Sequence, residues 1–513
     1  MMALMVSQSQ CPRTEGGLGL AVLGFAGLGL LGLALGGCGN GDGGASTTGP
    51  SASEVCHAAP VVQKTDAGVE FVRTPDACFE GLVDWPYAPK YVVIDGLRQA
   101  YIDEGPPNGD VVLLLHGEPS WSYLYRKMIP VLTAAGHRVI AMDHLGMGRS
   151  DKPIDLHAYS YLGHADRMLR FIQALGLSNI TLFCQDWGSL IGLHVAGEHP
   201  ELFARIAVGD GTLPVVPLGY QPVPPIADPE TPDSTLVSPF ADVPAQQVPF
   251  YDACGVVLPA PLPADFAQWA AYAMKNPSFH AAEVLEALTW FPLPPAALAA
   301  YDAPFPRREY MAGARVFPSL ANDLAGKNDA AWLGLQGFTR PFLTIWSSND
   351  PGNLGRFATQ QSFLDHVPGA AGQPHTRLPE SSHFVQDDQG PEIAARLVDW
   401  MAGTPRAADF PPAACGKPTP GITCLAPTSC SPTAPVCCGT IPALGAASSE
   451  CTTAAACTTS FLTADKTVRF CTTSADCALE PAYAQCCTFQ KNGATQHFCA
   501  NSTIAAAGSG TCN

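Results

Sequence analysis

Residues 179–197 read NITLFCQDWGSLIGLHVAG. The first part is apolar and β-branched, as in a strand buried on both faces. From Ser189 onward the apolar residues take up a helical rhythm. Asp186 and Trp187 stand at the corner, within CQDWGS. A carboxylate at the end of a buried strand is costly to place, so the corner needs a chemical reason. The pattern x-nucleophile-x-Gly between strand and helix is that of a nucleophile elbow, a tight turn that presents its middle residue at the top of a sheet. Here that residue is an aspartate. A serine must lose a proton to a base before it attacks, whereas a carboxylate is already a nucleophile at neutral pH. It can displace a leaving group from an sp³ carbon and form an alkyl ester. Water activated by a histidine can then attack the aspartate's own carbonyl carbon and release an alcohol.

Strand and helix patterns alternate on either side of this corner, from about residue 71 to residue 403. YVVIDG (91–96) and QAYIDEG (99–105) form an initial hairpin, and VVLLLH (111–116) is a fully apolar strand. Strands RVIAMD (138–143), NITLFC (179–184) and RIAVGD (205–210) follow, each separated from the next by a helical pattern. PFLTIWSS (341–348) and HTRLPE (375–380) resume the strands, and PEIAARLVDWMAG (391–403) is the last helix. The expected fold class is α/β, a doubly wound, mostly parallel sheet with ligands at the C-terminal ends of its strands. An interruption from about residue 213 to 320 opens Pro-rich and becomes helical from PADFAQWAAYAMK (263–275). Its size and position after the sixth strand predict a helical cap over the strand ends.

The mechanism implied by Asp186 needs a base, an acid and an oxyanion hole. His383 in PESSHFVQDD (379–388) is the candidate base, and Asp350 in IWSSNDPGN (345–353) the candidate acid. The order Asp186, Asp350, His383 is the nucleophile–acid–base order of this fold. Asp210, at the end of the sixth strand, is a rival acid. One oxyanion N–H is expected from Trp187, just after the nucleophile, and one from Glu118 in the HGEPSW loop (116–121). Most other histidines (His144, His157, His164, His194, His366, His375) read as loop or helix-surface residues. His116 reads as structural and Cys184 as a buried free thiol.

LLLHGEPSWSYLYRKMIP (113–130), DHLGMGRSDKP (143–153), CQDWGS (184–189), YDAPFPRREYMAGARVFP (301–318) and SSHFVQ (381–386) together resemble the haloalkane dehalogenases, α/β-hydrolases of the subfamily with paired halide-binding tryptophans. The resemblance spans residues 70–403. It implies hydrolysis of haloalkanes to a primary alcohol and halide through an aspartyl ester, with no metal or organic cofactor. It also implies Trp187 as one halide ligand and, in FAQWAAYA, Trp269 as the second. An indole N–H donates without accepting, so two converging indoles can hold a departing halide in an apolar pocket. Epoxide hydrolases are near relatives that need two cap tyrosines, for which Tyr251, Tyr272 and Tyr310 are available, and Trp290 is a second cap tryptophan. A scaffold that has lost its chemistry and kept a binding role is a further alternative.

The two ends differ in kind. LGLAVLGFAGLGLLGLALGGC (18–38) is followed by a small polar stretch, which predicts a signal peptide over residues 1–37. Its closing LGGC resembles a bacterial lipoprotein box, implying lipid on Cys38, anchorage to a bacterial membrane and a place in the cell envelope. Residues 38–70 read as a linker. Thirteen of the nineteen cysteines fall between Cys415 and Cys512, in two runs that share a five-residue step, a vicinal pair and two further cysteines. Residues 404–513 therefore read as a duplicated module with three disulfides per copy. Zinc is disfavoured by the absence of CxxC spacing and the single tail histidine, His497. Cys56, Cys78 and Cys254 could form extra bridges. A net charge of −18 without long basic runs argues against a nucleic-acid partner.

Overall fold

The computed structural model describes residues 50–215, 223–240, 266–352, 354–404 and 410, and much of the cysteine-rich tail from 430 to 512. Eight strands form the main sheet: β1 (Lys90–Ile94), β2 (Leu97–Glu104), β3 (Val111–Leu115), β4 (Arg138–Met142), β5 (Ile180–Asp186), β6 (Phe203–Gly211), β7 (Phe342–Ser347) and β8 (Thr376–Leu378). Their order is β8-β7-β6-β5-β3-β4-β2-β1. The β1–β2 hairpin and the β2–β4 pairing are antiparallel, and every other pairing is parallel. Leu113 on β3 stands opposite Ile140 on one side and Leu182 on the other. Residues 112–115 are wholly buried, which is why the strand carries no polar alternation. The order reverses direction at β3, where the chain passes first to β4 and then to β5. Asp186 lies at the end of β5, beside that switch point, where doubly wound sheets bind ligands.

Helices α1 (Ile129–Ala134), α2 (Tyr161–Ala174), α3 (Trp187–Glu198), α4 (Phe266–Lys275), α5 (Ala281–Ala287), α6 (Pro295–Asp302), α7 (Asp329–Gln336), α8 (Phe357–His366) and α9 (Val385–Met401) complete the frame. The Ser160 hydroxyl caps α2 by accepting the Gly163 N–H at 3.1 Å. Helix α3 is buried from Trp187 to Gly197, with no solvent face. It crosses α7 so closely that a Cβ on Gly334 would fall 1.8 Å from the Gly197 carbonyl oxygen. Only glycines let the two backbones meet there. The cap lies between β6 and β7 and includes α4, α5 and α6.

Two features sit outside the alternating pattern. Gln63–Lys64, Glu70–Val72 and Lys152–Pro153 form a small antiparallel sheet, and Cys56 is bonded to Cys78. Asp151 anchors this region by accepting from Arg73 Nε at 2.7 Å and Arg98 Nε at 3.2 Å. In the tail, Val436–Ile441 is the central strand of one three-stranded sheet and Gln485–Lys491 of another. Disulfides join Cys438 to Cys457, Cys471 to Cys486, Cys477 to Cys499 and Cys487 to Cys512. The second cysteine run thus holds three bridges. Cys437 faces Cys451 across one hairpin as Cys486 faces Cys499 across the other, at corresponding places in the two cysteine runs. Cys254 lies outside the described residues.

His144 and His375 lie in loops, where they are buried, but His164 and His194 are not on helix surfaces: both are buried. His194 lies on α3, whose lack of a polar face removes the surface on which a helical histidine would sit. Its Nδ1 is 3.1 Å from Asn328 Oδ1. His375 Nδ1 accepts the Thr344 N–H at 3.1 Å. Cys184 is a buried free thiol, as expected.

Candidate active site

Asp186 closes β5 and opens α3 with φ 50° and ψ −133°, a conformation an L-residue adopts only when its surroundings enforce it. The Ser189 hydroxyl donates to the Asp186 carbonyl at 2.5 Å and accepts the Thr212 N–H at 2.9 Å, tying the turn to the end of β6. In front of the turn runs the loop after β3. The Glu118 N–H donates to Asp186 Oδ1 at 2.8 Å. A Cβ at residue 117 would lie 2.2 Å from that same oxygen, so only glycine fits there. The loop is held from behind: Ser120 Oγ donates to the Gly117 carbonyl at 2.8 Å and Tyr125 OH to the Leu115 carbonyl at 2.6 Å. His116 Nε2 accepts the His144 N–H at 3.0 Å. Burial pushes the His116 imidazole down to about 4 and holds His144 and His164 well below the usual histidine range. These rings are neutral packing that shapes the loop.

The loop after β8 brings His383 to the other side of Asp186. Its Nδ1 lies 2.8 Å from Asp350 Oδ2 and its Nε2 lies 3.5 Å from Asp186 Oδ2. The two nucleophile oxygens are therefore distinct: Oδ1 sits on the Glu118 N–H and Oδ2 faces the imidazole. Asp350 is turned toward the ring by the Gly352 N–H, which donates to its Oδ1 at 2.6 Å. Burial opposes a charge on His383, but the carboxylates of Asp350 and then Asp186 outweigh it and hold the imidazole well above the usual histidine range.

Asp210 is also buried beside this set, and both its oxygens accept the Ser347 N–H, at 3.0 and 3.1 Å. Burial, followed by repulsion from Asp350, pushes its carboxyl up to about 8. Among the described residues, the carboxylate hydrogen-bonded to the ring is that of Asp350.

Trp187 lies at the start of α3, with its ring edge-on to Phe317 at 5.2 Å. Trp269 lies on α4, half-buried against Phe240 at 5.0 Å and Phe279 at 5.5 Å. Among the described residues, neither indole N–H is hydrogen-bonded to a protein acceptor. Of the cap tyrosines, Tyr272 donates to Glu283 Oε2 at 2.8 Å, Tyr310 is buried, and Tyr251 lies outside the described residues. Trp290 gives its backbone N–H to Asp388. Cys38 also lies outside the described residues.

Two contributors were not anticipated. Gln185 Nε2 donates to the His383 carbonyl at 3.0 Å and lies 3.1 Å from His383 Nε2. An uncharged polar residue just before the nucleophile, at the end of an apolar strand, was the available signal. The Glu118 side chain is buried, and its Oε1 has no hydrogen-bond partner among the described residues. Burial and then the Asp186 charge push this carboxyl well above the usual range.

Comparison with known proteins places this geometry in context. A family model described as alpha/beta hydrolase fold matches residues 110–354. A haloalkane dehalogenase of Mycobacterium marinum is 42% identical over 343 residues, covering 65% of this chain and 100% of its own length. One from Psychrobacter cryohalolentis is 40% identical over 348 residues, covering 66% and 100%. This chain belongs to the haloalkane dehalogenases. Among solved structures, the tetrameric haloalkane dehalogenase DpaA from Paraglaciecola agarilytica NO2 aligns at 30% identity and a TM-score of 0.49, over 63% of this chain and 96% of its own. The similarity to these dehalogenases covers about two thirds of this chain.

Proposed function

We propose that this dehalogenase converts haloalkane and water to a primary alcohol, halide and a proton through an ester on Asp186. The observation that carries the reading is the division of labour between the two Asp186 oxygens. Oδ2 attacks the halogen-bearing carbon and the carbon–halogen bond breaks, with the halide leaving toward the indole N–H groups of Trp187 and Trp269. No base is needed for this step, because the carboxylate is already ionised. Water then attacks Cγ while His383 Nε2 takes its proton and Asp350 stabilises the imidazolium that forms. Negative charge develops on Oδ1, where the Glu118 N–H already points, and the Trp187 N–H is the expected second donor. Loss of one such donor costs roughly 10²–10³ in rate. Collapse expels the alkoxide oxygen, which takes the proton from the His383 imidazolium and leaves as alcohol, and the new carboxyl loses its remaining proton to solvent, restoring the carboxylate.

The test is halide release from a panel of brominated alkanes by wild type and Asp186→Ala, with an epoxide in parallel. Bromide release that disappears in the variant is expected. Epoxide turnover without halide release would move the assignment to an epoxide hydrolase, and silence toward both would favour a binding role.

We further infer that the chain is exported and carries lipid on Cys38. Disulfides in both the hydrolase region and the tail support an oxidising compartment, and the LGGC motif supports lipidation. Mass spectrometry of the mature N-terminus, with Cys38→Ser as control, should find a diacylated Cys38. An unmodified Cys38 or an uncleaved leader would refute it.

A further inference from the structure

Five residues beyond His383, in the first turn of α9, the half-buried Asp388 carboxylate accepts backbone N–H groups from two distant segments. Ser382 N–H donates to Oδ2 at 2.9 Å. From the cap, Trp290 N–H lies 2.9 Å from both oxygens and Phe291 N–H donates to Oδ1 at 3.1 Å. On the other side of the histidine, Phe384 N–H donates to the Leu288 carbonyl at 3.1 Å. Both chain neighbours of His383 are thus fastened to one cap segment, 288–291, one directly and the other through Asp388. The adjacent Asp387 makes a second attachment: its carboxylate takes the Tyr301 hydroxyl of α6 and Arg126 Nη2.

We propose that Asp388 is a positioning residue for His383, making the placement of the base depend on a docked cap. The proposal rests on the reading of His383 as the base. The loop between Leu378 and Val385 has no regular structure; Asp350 restrains the ring, and Gln185 and Asn349 hold the His383 and Ser381 carbonyls from the sheet side, none of them from the cap. A carboxylate that accepts from the residue before the histidine and from the cap ties that backbone to the cap as well. Asp186, by contrast, is fixed by β5, α3 and Ser189, with no contribution from residues 288–291. Loosening the strap should therefore slow hydrolysis of the ester, which needs His383, and spare its formation, which does not.

Rapid-mix halide release with excess brominated alkane separates the two steps. Asp388→Asn keeps the size but replaces one acceptor oxygen with a donor. A burst of one halide per active site is expected at a rate within about twofold of wild type. Steady turnover should then be on the order of 10- to 100-fold slower, the scale of a small misplacement of a reacting group, with an alkyl adduct accumulating on the Asp186 peptide. Burst amplitude counts folded sites. A reduced amplitude with wild-type turnover per titrated site would mean a structural role only and overturn the proposal. Should Asp388→Asn fail to fold, Asp388→Glu, which keeps the charge and moves it by one methylene, is read in the same way. His383→Gln run in parallel tests the underlying reading. If it does not stall after the burst, the base assignment fails. If it stalls while the Asp388 variants turn over at wild-type rate, only the positioning role fails.

Discussion

His383 faces two carboxylates, and its charge depends on both. Burial disfavours the imidazolium, while Asp350 and Asp186 together hold the ring's pKa well above its ordinary value. On the proposed mechanism, esterification of Asp186 removes one of those charges at the moment a neutral base is required, so alkylation itself favours release of the ring proton. Asp186→Ala imitates that loss of charge. In the variant, His383 should give up its proton at a lower pH than in wild type, read from the imidazole resonances in an NMR titration; an unchanged midpoint would show that Asp186 does not hold the charge. Asp210 supplies a second pH effect. Its carboxyl, raised to about 8, stays protonated in the native state while the unfolded chain ionises near 4. The folded protein binds the extra proton between about 4 and about 8, so stability from this group falls as pH rises through that window. Asp210→Asn, which keeps an acceptor for the Ser347 N–H, should flatten the decline. The gap in Tm between variant and wild type should widen from pH 5 to pH 8.

At the scale of elements, the frame is set by close approach as much as by hydrophobic pattern. Helices α3 and α7 meet at Gly197 and Gly334, and a methyl group there has only backbone to displace. Gly334→Ala should cost about 1–3 kcal/mol, the usual range for overpacking, seen as a lower urea midpoint. The alternating strands were legible because both faces of the central ones are buried, leaving unbroken apolar runs such as residues 111–115. The elbow was legible because Asp186 interrupts such a run. Helix α3 was less so: enclosure on all sides erases the polar face by which a reader judges whether His194 is inside or out. Asp388 was not legible at all. Its partners include backbone N–H groups about a hundred residues earlier, which leave no side-chain pattern in the sequence.

For the whole molecule, the tail is held by covalent bonds where its core is small, with buried clusters made largely of cysteines around Val468, Phe470 and Phe498. Its cysteine rhythm announced a duplication, but pairing needs three-dimensional register. The second run joins its first cysteine to its third, its second to its fifth and its fourth to its sixth. Cys438–Cys457 is the fourth-to-sixth bond of the first run. The repeat therefore predicts Cys424–Cys437 and Cys430–Cys451, and non-reducing peptide mapping should recover both. A Cys430–Cys437 peptide would break the equivalence of the two copies.

The fixed roles of the two Asp186 oxygens carry an isotopic consequence. With Oδ1 held by the Glu118 N–H, the proposed mechanism makes the oxygen that leaves with each alcohol the one facing His383, and the attacking water replaces that same atom. In ¹⁸O-enriched water the first alcohol released by each enzyme molecule is then unlabelled, and the second carries the heavy atom. If the carboxylate rotated freely between turnovers, the second alcohol would be a mixture of light and heavy. The label in the second product thus reports, turnover by turnover, whether this side chain ever turns over in its seat.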